Sequence, residues 1–360
     1  EQDDFAKGTS SRSTKLVHGG VRYLEQGDVP LVLEALRERG LLHLNAPQLV
    51  HHQSFIIPRY KWWEGPFFGI GLKMYDLLAG RLNFARSRLL GREETLAKIP
   101  NVQTEDLLGG VEYYDGQFDD SRLAVTMAQT AADHGAILVN HCRVTALTKR
   151  DGMVAGVEAL DTETGERVTA DATVVVNATG IFTDDILRMD DPDAAPVVQP
   201  SQGVHLVLDR SFLPGESAIM VPHTDDGRVL FVIPWHGRVL VGTTDTPLDT
   251  PSLEPRALPD EVDFILRNAA RYLARDPSRA DVLSVFAGQR PLVRPPGADG
   301  TPTKKISRNH EVLVSHSGMV TLVGGKWTTY RQMAEDTVDM VEQLGGFTES
   351  PCVTETLHLH

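Results

Sequence analysis

The sequence predicts an α/β (α+β) fold in which an antiparallel sheet is inserted into a domain built from strand-turn-helix units. An apolar run at residues 320–323 leads through a paired glycine into helical spacing. A second apolar run, 172–176, ends in a turn of small residues, as buried parallel strands often do. Between Val197 and Val293 the pattern changes to alternating apolar and polar residues, which favours antiparallel strands.

The other elements follow from periodicity, caps and turn residues. Leucines at helical spacing among charges predict two helices early in the chain, and Asp120 is a typical N-cap for a third. Segments rich in Asp and Gly, such as 112–119, predict turns. In chain order the pattern predicts helices at 30–45 and 66–90, a helix from Asp120 to Gly135, a strand at 136–140, a β-meander over 144–176, strands at 204–208, 218–221, 229–234 and 239–244, and a helix from Asp260.

Composition excludes several classes of protein. The chain of 360 residues has 35 basic and 49 acidic side chains, and its net charge of −14 argues against nucleic acid as a partner, because phosphate backbones require a basic face. Cys142 and Cys352 lie far apart without metal-ligand spacing, so we predict no disulfide framework and no metal site. This cysteine usage predicts a reducing, cytoplasmic compartment. No apolar run reaches the roughly 18 residues of a membrane span.

A turn rich in hydroxyl groups followed by a paired glycine lies near the start of the chain. Hydroxyl side chains at 9–13 precede Gly19 and Gly20, and Arg22 and Tyr23 follow. Hydroxyl and backbone N–H donors suit an anionic ligand, and glycines allow that ligand to approach the backbone. The segment therefore predicts a phosphorylated cofactor, with a cation and a phenol beside it that can hold a substrate.

Five motifs cover the chain from end to end: STKLVHGGVRYL at 13–24, VNATG at 176–180, VGTTD at 241–245, GQRPL at 288–292 and GGKWTTYR at 324–331. In this order they resemble the FAD-dependent glycerol-3-phosphate dehydrogenases and the related oxidases. The resemblance implies a Rossmann-type FAD-binding domain with an inserted antiparallel-sheet substrate (cap) domain. It also implies oxidation of sn-glycerol-3-phosphate to dihydroxyacetone phosphate by hydride transfer to N5 of the flavin.

On this basis the domains are expected to be discontinuous. Residues 1–50, 105–195 and 300–360 would form the FAD-binding domain, and 51–104 with 196–299 the substrate domain. Members of the family open with a strand, a Gly-x-Gly-x-x-Gly turn and a helix that hold the FAD pyrophosphate, and this motif does not occur here. We therefore expect a fragment that lacks about thirty N-terminal residues and the family's C-terminal helical domain, and that binds FAD weakly or not at all.

The resemblance assigns most candidate site residues to FAD. Glu1 matches the acidic residue that hydrogen-bonds the adenosine ribose in a dinucleotide fold. Lys326 and the amides near it would face the N1–C2 region of the flavin, where negative charge collects on reduction. The expected FAD contacts are Glu1, Thr9, Ser10, Ser13, Lys15, Leu16, His18, Gly19, Gly20, Val144, Ala178, Thr179, Gly180, Gly325, Lys326, Thr328 and Thr329.

The remaining candidates belong to the substrate. Arg22, Tyr23, Arg290 and Arg308 would hold the phosphate and hydroxyl groups, since guanidinium groups bind phosphate bidentately. Arg290 and Lys326 would also stabilise charge that develops during the reaction. His205, on an alternating strand, is the candidate proton acceptor, although a lone histidine on a strand is more often simply packed.

Other interpretations and partners stay open at this point. An FAD-dependent amino-acid or amine oxidase of the same architecture is one alternative, and a non-catalytic binding fragment is another. The resemblance suggests quinone as the electron acceptor and a peripheral position at the inner face of a membrane, for which the cations and aromatics at 59–68 are suited. A homodimer is left open.

Overall fold

The computed structural model describes residues 1–25, 27–294 and 308–360, with the backbone alone at residues 22 and 25. One large sheet and two three-stranded sheets organise the chain, in agreement with the predicted mixed α/β class. The strands are β1 (Leu16–Val17), β2 (Val50–Arg59), β3 (Arg88–Gly91), β4 (Gly109–Phe118), β5 (Cys142–Arg150), β6 (Met153–Asp161), β7 (Arg167–Asp171), β8 (Val176–Asn177), β9 (Val198–Asp209), β10 (Ala218–Val221), β11 (Leu230–Trp235), β12 (Arg238–Gly242), β13 (Thr246–Pro247), β14 (Val282–Val293), β15 (His310–Val314) and β16 (Val320–Gly324).

Polar side chains and glycine cap the helices, although the N-cap of the third predicted helix is Asp119 and not Asp120, which is its first helical residue. Asp28 and Asp119 each accept a backbone N–H at a helix start, and Gly346 adopts the left-handed conformation that ends the last helix. Among the described residues no helix is both long and apolar enough to cross a bilayer. The helices are α1 (Val21–Glu25), α2 (Val29–Asn45), α3 (Glu64–Ala79), α4 (Arg92–Lys98), α5 (Asp120–Asp133), α6 (Thr183–Asp190), α7 (Pro259–Ala270) and α8 (Tyr330–Gly345).

The large sheet has the strand order β1-β4-β2-β10-β11-β12-β9-β13, and β14 pairs with β9 while β3 pairs with β4. Its pairs are antiparallel except β2 with β10. The predicted antiparallel strands of the inserted region are therefore confirmed as β9 to β12. The smaller sheets are β15-β16-β8 and the meander β5-β6-β7.

Alternate residues of the large sheet enter two separate cores. Leu206 packs in a cluster with Ile265 of α7, whereas Val207 packs on the cluster that holds Leu72 of α3. Successive side chains of a strand point to opposite faces, so His205 shares the face of Val207. The face of the large sheet that packs against α3 is therefore the one that also holds His205, the candidate proton acceptor.

Several sequence predictions were wrong in detail. No strand forms at 136–140, where Ile137 is 93% exposed, and of the apolar run 172–176 only its last residue enters β8. An apolar run becomes a strand only when a neighbouring strand completes its hydrogen-bond ladder, and no described strand pairs with 136–140. The helical region 66–90 is shorter, ending at Ala79 before the strand β3.

The segment 112–119, predicted as turns, lies mostly in the long strand β4. Its glycines serve close packing: a Cβ at Gly116 would lie 2.5 Å from Cγ2 of Val17 on β1. Since β4 pairs with β2 along ten residues, this strand belongs to the large sheet, whereas the predicted division placed 105–195 in the cofactor domain. The domain division stays a prediction.

A buried ion pair joins α2 to α8. Arg331 donates from Nε and Nη2 to the two carboxylate oxygens of Glu38 at 2.9 and 2.8 Å, and both side chains are almost fully buried. Removing one partner of such a pair leaves a charge that water cannot reach, which costs far more than losing an exposed pair.

We expect Glu38→Gln to lower the free energy of unfolding by about 3 kcal/mol, because Arg331 then lacks its buried counterion. Glu335→Gln is the matched control, since Glu335 binds the same arginine at 2.6 Å from a more exposed position. Its cost should stay below about 1 kcal/mol. Urea unfolding of both variants measures the difference, and equal losses would show that burial of the Glu38 pair is unimportant.

Candidate active site

A cavity of about 300 Å³ brings together most of the residues that the sequence singled out. It lies on the His205 face of the large sheet and is closed by the segments at 9–23 and 325–328, so residues three hundred positions apart meet in it. The predicted site residues that line it are Thr9, Ser13, Leu16, His18, Gly20, Tyr23, His205, Arg290, Arg308, Gly325, Lys326 and Thr328.

The pairing of β9 with β14 explains why His205 and Arg290 share this cavity. Phe286 lies opposite His205 and Arg290 opposite Ser201, so alternate residues of both strands point to the same face. Gly203, between them, has no side chain where Arg290 needs space: a Cβ there would lie 2.3 Å from Nη2 of that arginine. The strand register therefore places a base and a cation side by side.

Three guanidinium groups surround one buried carboxylate. Arg228, Arg290 and Arg308 approach the oxygens of Asp245 at 3.9, 3.7 and 3.5 Å. Arg290 also donates from Nη2 to Oγ1 of Thr243 at 3.1 Å, and Arg228 is held by Asp226. Among the described residues these three arginines pair with only two carboxylates, those of Asp245 and Asp226, so positive charge is in excess at this corner of the cavity.

These cations keep unused hydrogen-bond donors. The Nη1 atoms of Arg228, Arg290 and Arg308 and Nζ of Lys326 are buried, and none has a hydrogen-bond partner among the residues that the structure describes. Burial lowers the pKa of Arg290 to about 10, with Arg308 adding to the effect, and burial lowers the pKa of Lys326 to about 8. Native proteins rarely leave buried donors unpaired, so the arrangement indicates an anionic ligand.

The environment of His205 keeps its imidazole neutral. Nε2 lies 2.9 Å from Oγ1 of Thr14, and the ring stacks on Phe286 with centroids 4.9 Å apart. Burial lowers the pKa of His205 well below its usual value, and the positive charges of Arg290 and Lys15 act in the same direction. A neutral imidazole has one nitrogen free to accept a proton.

Two turns supply backbone for a large planar cofactor. Gly20 and Gly325 have φ angles of +77° and +82°, a conformation that favours glycine. The turns touch, since N of His18 donates to Oγ1 of Thr328 at 3.3 Å, and Nζ of Lys326 lies 4.3 Å from the ring centroid of Tyr23. Open backbone, hydroxyl donors and one lysine fit the electron-rich edge of a flavin.

Several residues assigned to the cofactor from the sequence do not line this cavity. Nζ of Lys15 binds the Asp120 carboxylate and the carbonyl of Ser11, both at 2.6 Å, so its charge serves the fold. The carbonyl of Ser10 accepts from the Trp327 indole, and Thr329 bonds within its own turn. Gly19 does not line the cavity either, and its N–H group donates to the hydroxyl of Tyr75.

The other residues assigned to the site do not line the cavity, or their side chains lie outside the described part of the structure. Val144 is on β5 opposite Ala159, and the exposed Glu1 bonds the carbonyl of Val139 through its amino group. Arg22 belongs to α1, and its side chain lies outside the described part. The turn after β8 holds Ala178, Thr179 and Gly180, with the Thr179 hydroxyl on Asn177. The roles of all these residues stay predictions.

The cavity residues that sequence reasoning missed include Thr14, Asp115, Arg228 and Asp245. Asp245 ends the VGTTD motif, so a signal was present, but a carboxylate is not expected in an anion site. Arg228 follows a turn that reads as an ordinary hairpin connection. Only the fold brings these residues to the cavity.

Comparison with known proteins agrees with this geometry. The family model "FAD dependent oxidoreductase" matches residues 1–331. The mitochondrial glycerol-3-phosphate dehydrogenase of Rattus norvegicus is 43% identical over the whole chain, which covers 51% of that protein. The structure of glycerol-3-phosphate dehydrogenase from Bacillus halodurans complexed with FAD superposes with a TM-score of 0.78 at 34% identity, covering all of this chain and 62% of that one. Glycine oxidase from Geobacillus kaustophilus, 19% identical with a TM-score of 0.68, shares the fold.

Fold and cavity together define a flavoprotein domain joined to an anion-binding substrate region. The chain belongs to the FAD-dependent oxidoreductase family, which confirms the predicted cofactor, FAD, and the Rossmann-type fold class. The chain spans about half the length of the rat relative that it matches.

The lowered pKa of Lys326 predicts pH-dependent anion binding. Its charge is present below about pH 8 and lost above it, whereas the arginines stay charged, so sulfate should bind several-fold (about 1 kcal/mol) more weakly at pH 9 than at pH 7. Sulfate is suitable because its own charge is constant over this range. Lys326→Arg should abolish most of the dependence, and calorimetric titration of the chain measures both. A wild-type affinity that does not change with pH would contradict the assignment.

Proposed function

We propose that the protein oxidises sn-glycerol-3-phosphate to dihydroxyacetone phosphate with FAD. The observation that carries this proposal is a set of buried cationic donors in one cavity, on Arg228, Arg290, Arg308 and Lys326, for which the described part of the chain offers no hydrogen-bond partner. A phosphomonoester dianion supplies the acceptor oxygens that these donors lack. The relatives named as glycerol-3-phosphate dehydrogenases support the same substrate. An amino-acid substrate carries one carboxylate and would satisfy fewer of the four.

The chemistry divides among a few side chains. Arg308 and Arg228 would bind the phosphate, and Arg290, fixed by Thr243, would stabilise negative charge on the reacting oxygen. His205 would accept the hydroxyl proton at Nδ1, which has no hydrogen-bond partner among the described residues, while Thr14 fixes its other nitrogen. When bound, FAD supplies the hydride acceptor. Lys326 would lie beside that acceptor and neutralise the charge that arrives there.

The proposal is tested by anaerobic flavin reduction in the full-length, FAD-loaded enzyme. Glycerol-3-phosphate should bleach the flavin absorbance, whereas glycerol and glycine at equal concentration should not. Arg290→Lys should lower kcat/KM by more than about tenfold, since a charge-assisted bidentate contact contributes about 1.5–3 kcal/mol.

Arg267→Lys is the control for this substitution, because Arg267 is an exposed arginine of α7 that pairs with Asp225 away from the cavity. Its kinetics should match those of the wild type. Bleaching by glycine but not by glycerol-3-phosphate would favour the amine-oxidase alternative, and unchanged kinetics of Arg290→Lys would remove that residue from the mechanism.

We further propose that the outer face of α3 contacts a lipid bilayer. Trp63, Phe67, Ile70, Met74 and Leu77 follow helical spacing of four and three residues and are all exposed, Ile70 by 65% and Leu77 by 80%. The opposite side of the same helix already fills the core through Phe68, Leu72 and Tyr75. An outward apolar stripe has no role in folding and suits an interfacial helix.

A bilayer is favoured over a protein partner because tryptophans and lysines flank the stripe. Trp62 is exposed beside Trp63, and Lys61 and Lys73 lie on the same helix or next to it. Aromatic rings at the headgroup level and cations near anionic lipids are typical of membrane surfaces. A membrane position also supports quinone as the electron acceptor. The cytoplasmic location stays a prediction, and the rat relative is named as mitochondrial.

Sedimentation with vesicles that contain anionic phospholipid should retain the protein, and the double variant Ile70→Glu/Leu77→Glu should lower its partitioning by at least about tenfold, because two charges replace buried apolar area. Val338→Glu/Val353→Glu, two exposed apolar sites elsewhere, is the control. Equal partitioning of both variants, or self-association without vesicles, would refute a lipid contact.

A further inference from the structure

A buried carboxylate lies on the cavity face of β4, outside the set of residues that the family resemblance assigned. Asp115 lines the cavity yet is only 3% exposed. It shares the face of Tyr113, two residues earlier, which packs in the cluster beneath α3. Nη1 of Arg39, a fully buried residue of α2, donates to Oδ1 of Asp115 at 2.6 Å.

Tyr75 of α3 completes this group. Its hydroxyl lies 2.8 and 2.9 Å from the two carboxylate oxygens of Asp115, and it accepts a hydrogen bond from N of Gly19 at 2.8 Å. N of Gly19 also lies 3.4 Å from Oδ1 of Asp115. Side chains from α3 and β4 thus converge on one backbone amide, and Arg39 of α2 holds the carboxylate of that pair.

The amide belongs to a turn that tolerates little movement. A Cβ at Gly19 would lie 2.5 Å from both the Tyr75 hydroxyl and Cδ2 of Leu36, so the backbone rests directly on these side chains. A buried ion pair by itself is weak evidence for stability, because desolvation offsets the attraction. Two polar side chains that meet at a single N–H group, with a buried arginine bound to one of them, indicate a positional role instead.

The residues that the turn 18–20 places at the cavity explain this positional role. His18 precedes Gly19 and lines the cavity, Gly20 follows with its backbone open to the cavity, and the carbonyl of Gly20 accepts from N of Tyr23 at 2.8 Å. Tyr23 in turn lies beneath Nζ of Lys326. A shift of Gly19 would therefore move both the cofactor wall and a substrate contact.

We propose that Asp115 and Tyr75, supported by Arg39, are positioning residues that fix the Gly19 amide and thereby hold the turn 18–20 in its reactive geometry. The consequence for the reaction rests on the proposed function, whereas the fixing of the turn is a property of the chain itself. Positioning errors of about 1 Å can cost about a hundredfold in rate even when the displaced group performs no chemistry.

Hydrogen exchange of the chain without added ligand tests the fixing directly. Tyr75→Phe removes the hydroxyl but keeps both buried charges, and we expect peptides that contain Gly19 and Gly20 to exchange at least about tenfold faster, as loss of a hydrogen bond of about 1.5 kcal/mol implies. Tyr60→Phe is the matched control, because Tyr60 donates to the carbonyl of Gln103 away from the cavity. Unchanged exchange at 18–20 in Tyr75→Phe would overturn the proposal.

Kinetics of the full-length, FAD-loaded enzyme test the consequence. Tyr75→Phe should lower kcat with glycerol-3-phosphate at least about tenfold, while its unfolding midpoint stays close to that of Tyr60→Phe. Asp115→Asn should act in the same direction. Glu112→Gln is its control, since Glu112 is a buried carboxylate on the opposite face of β4 that pairs with Arg88 and Lys98.

The outcomes separate this proposal from the proposed function. Faster exchange with an unchanged kcat would overturn the positioning role, and so would equal kinetic losses in Asp115→Asn and Glu112→Gln. A wild-type enzyme whose flavin is not reduced by glycerol-3-phosphate would instead refute the substrate assignment, and the exchange result would then stand by itself.

Discussion

The structure depends on keeping several positive charges together in a buried space. Arg228, Arg290 and Arg308 all approach the carboxylate of Asp245, only Arg228 among them also pairs with Asp226 in the described part of the chain, and like charges gathered around one anion repel. Burial first, and then the charge of Arg308, lowers the pKa of Arg290 to about 10. A guanidinium tolerates this because its intrinsic pKa is so high that it stays charged, whereas burial brings the pKa of Lys326 to about 8, within reach of physiological pH.

The large sheet fixes one of these arginines directly, because Arg290 belongs to the strand β14, which pairs along its length with β9. The chain as a whole has a net charge of −14, so an acidic protein holds a small basic cavity. A doubly charged ligand in this cavity would offset the repulsion among its cations.

Sequence reasoning worked where chemistry is local and failed where it depends on pairing. The glycine turns, Arg290 and Lys326 each lie in a short motif that the sequence analysis singled out, His205 was assigned through the family resemblance, and the fold brings them to one cavity. Asp245 and Asp115 were missed because a carboxylate gains its meaning only from the arginines beside it, such as Arg290 for Asp245 and Arg39 for Asp115, which lie far away in the chain.

The strands at 136–140 and 172–176 were mispredicted for a related reason. Apolar composition indicates that a segment prefers burial. A strand also needs a neighbouring strand that completes its hydrogen-bond ladder, and the sequence of the segment does not show whether such a strand exists. The strand β4 shows the converse. Its glycines and aspartate read as turn residues, yet the pairing with β2 imposes an extended backbone and makes the glycines sites of close contact.

Helix α2 connects the two turns that form the cofactor side of the cavity. Neighbouring residues of a helix differ in direction by about 100°, so Glu38 and Arg39 reach different partners from consecutive positions. Glu38 binds Arg331 of α8, whose first turn follows Lys326 and Thr328, while Arg39 binds Asp115 beneath Gly19. A rigid helix with one buried charge toward each turn fixes their separation, which explains why both charges are tolerated in the core.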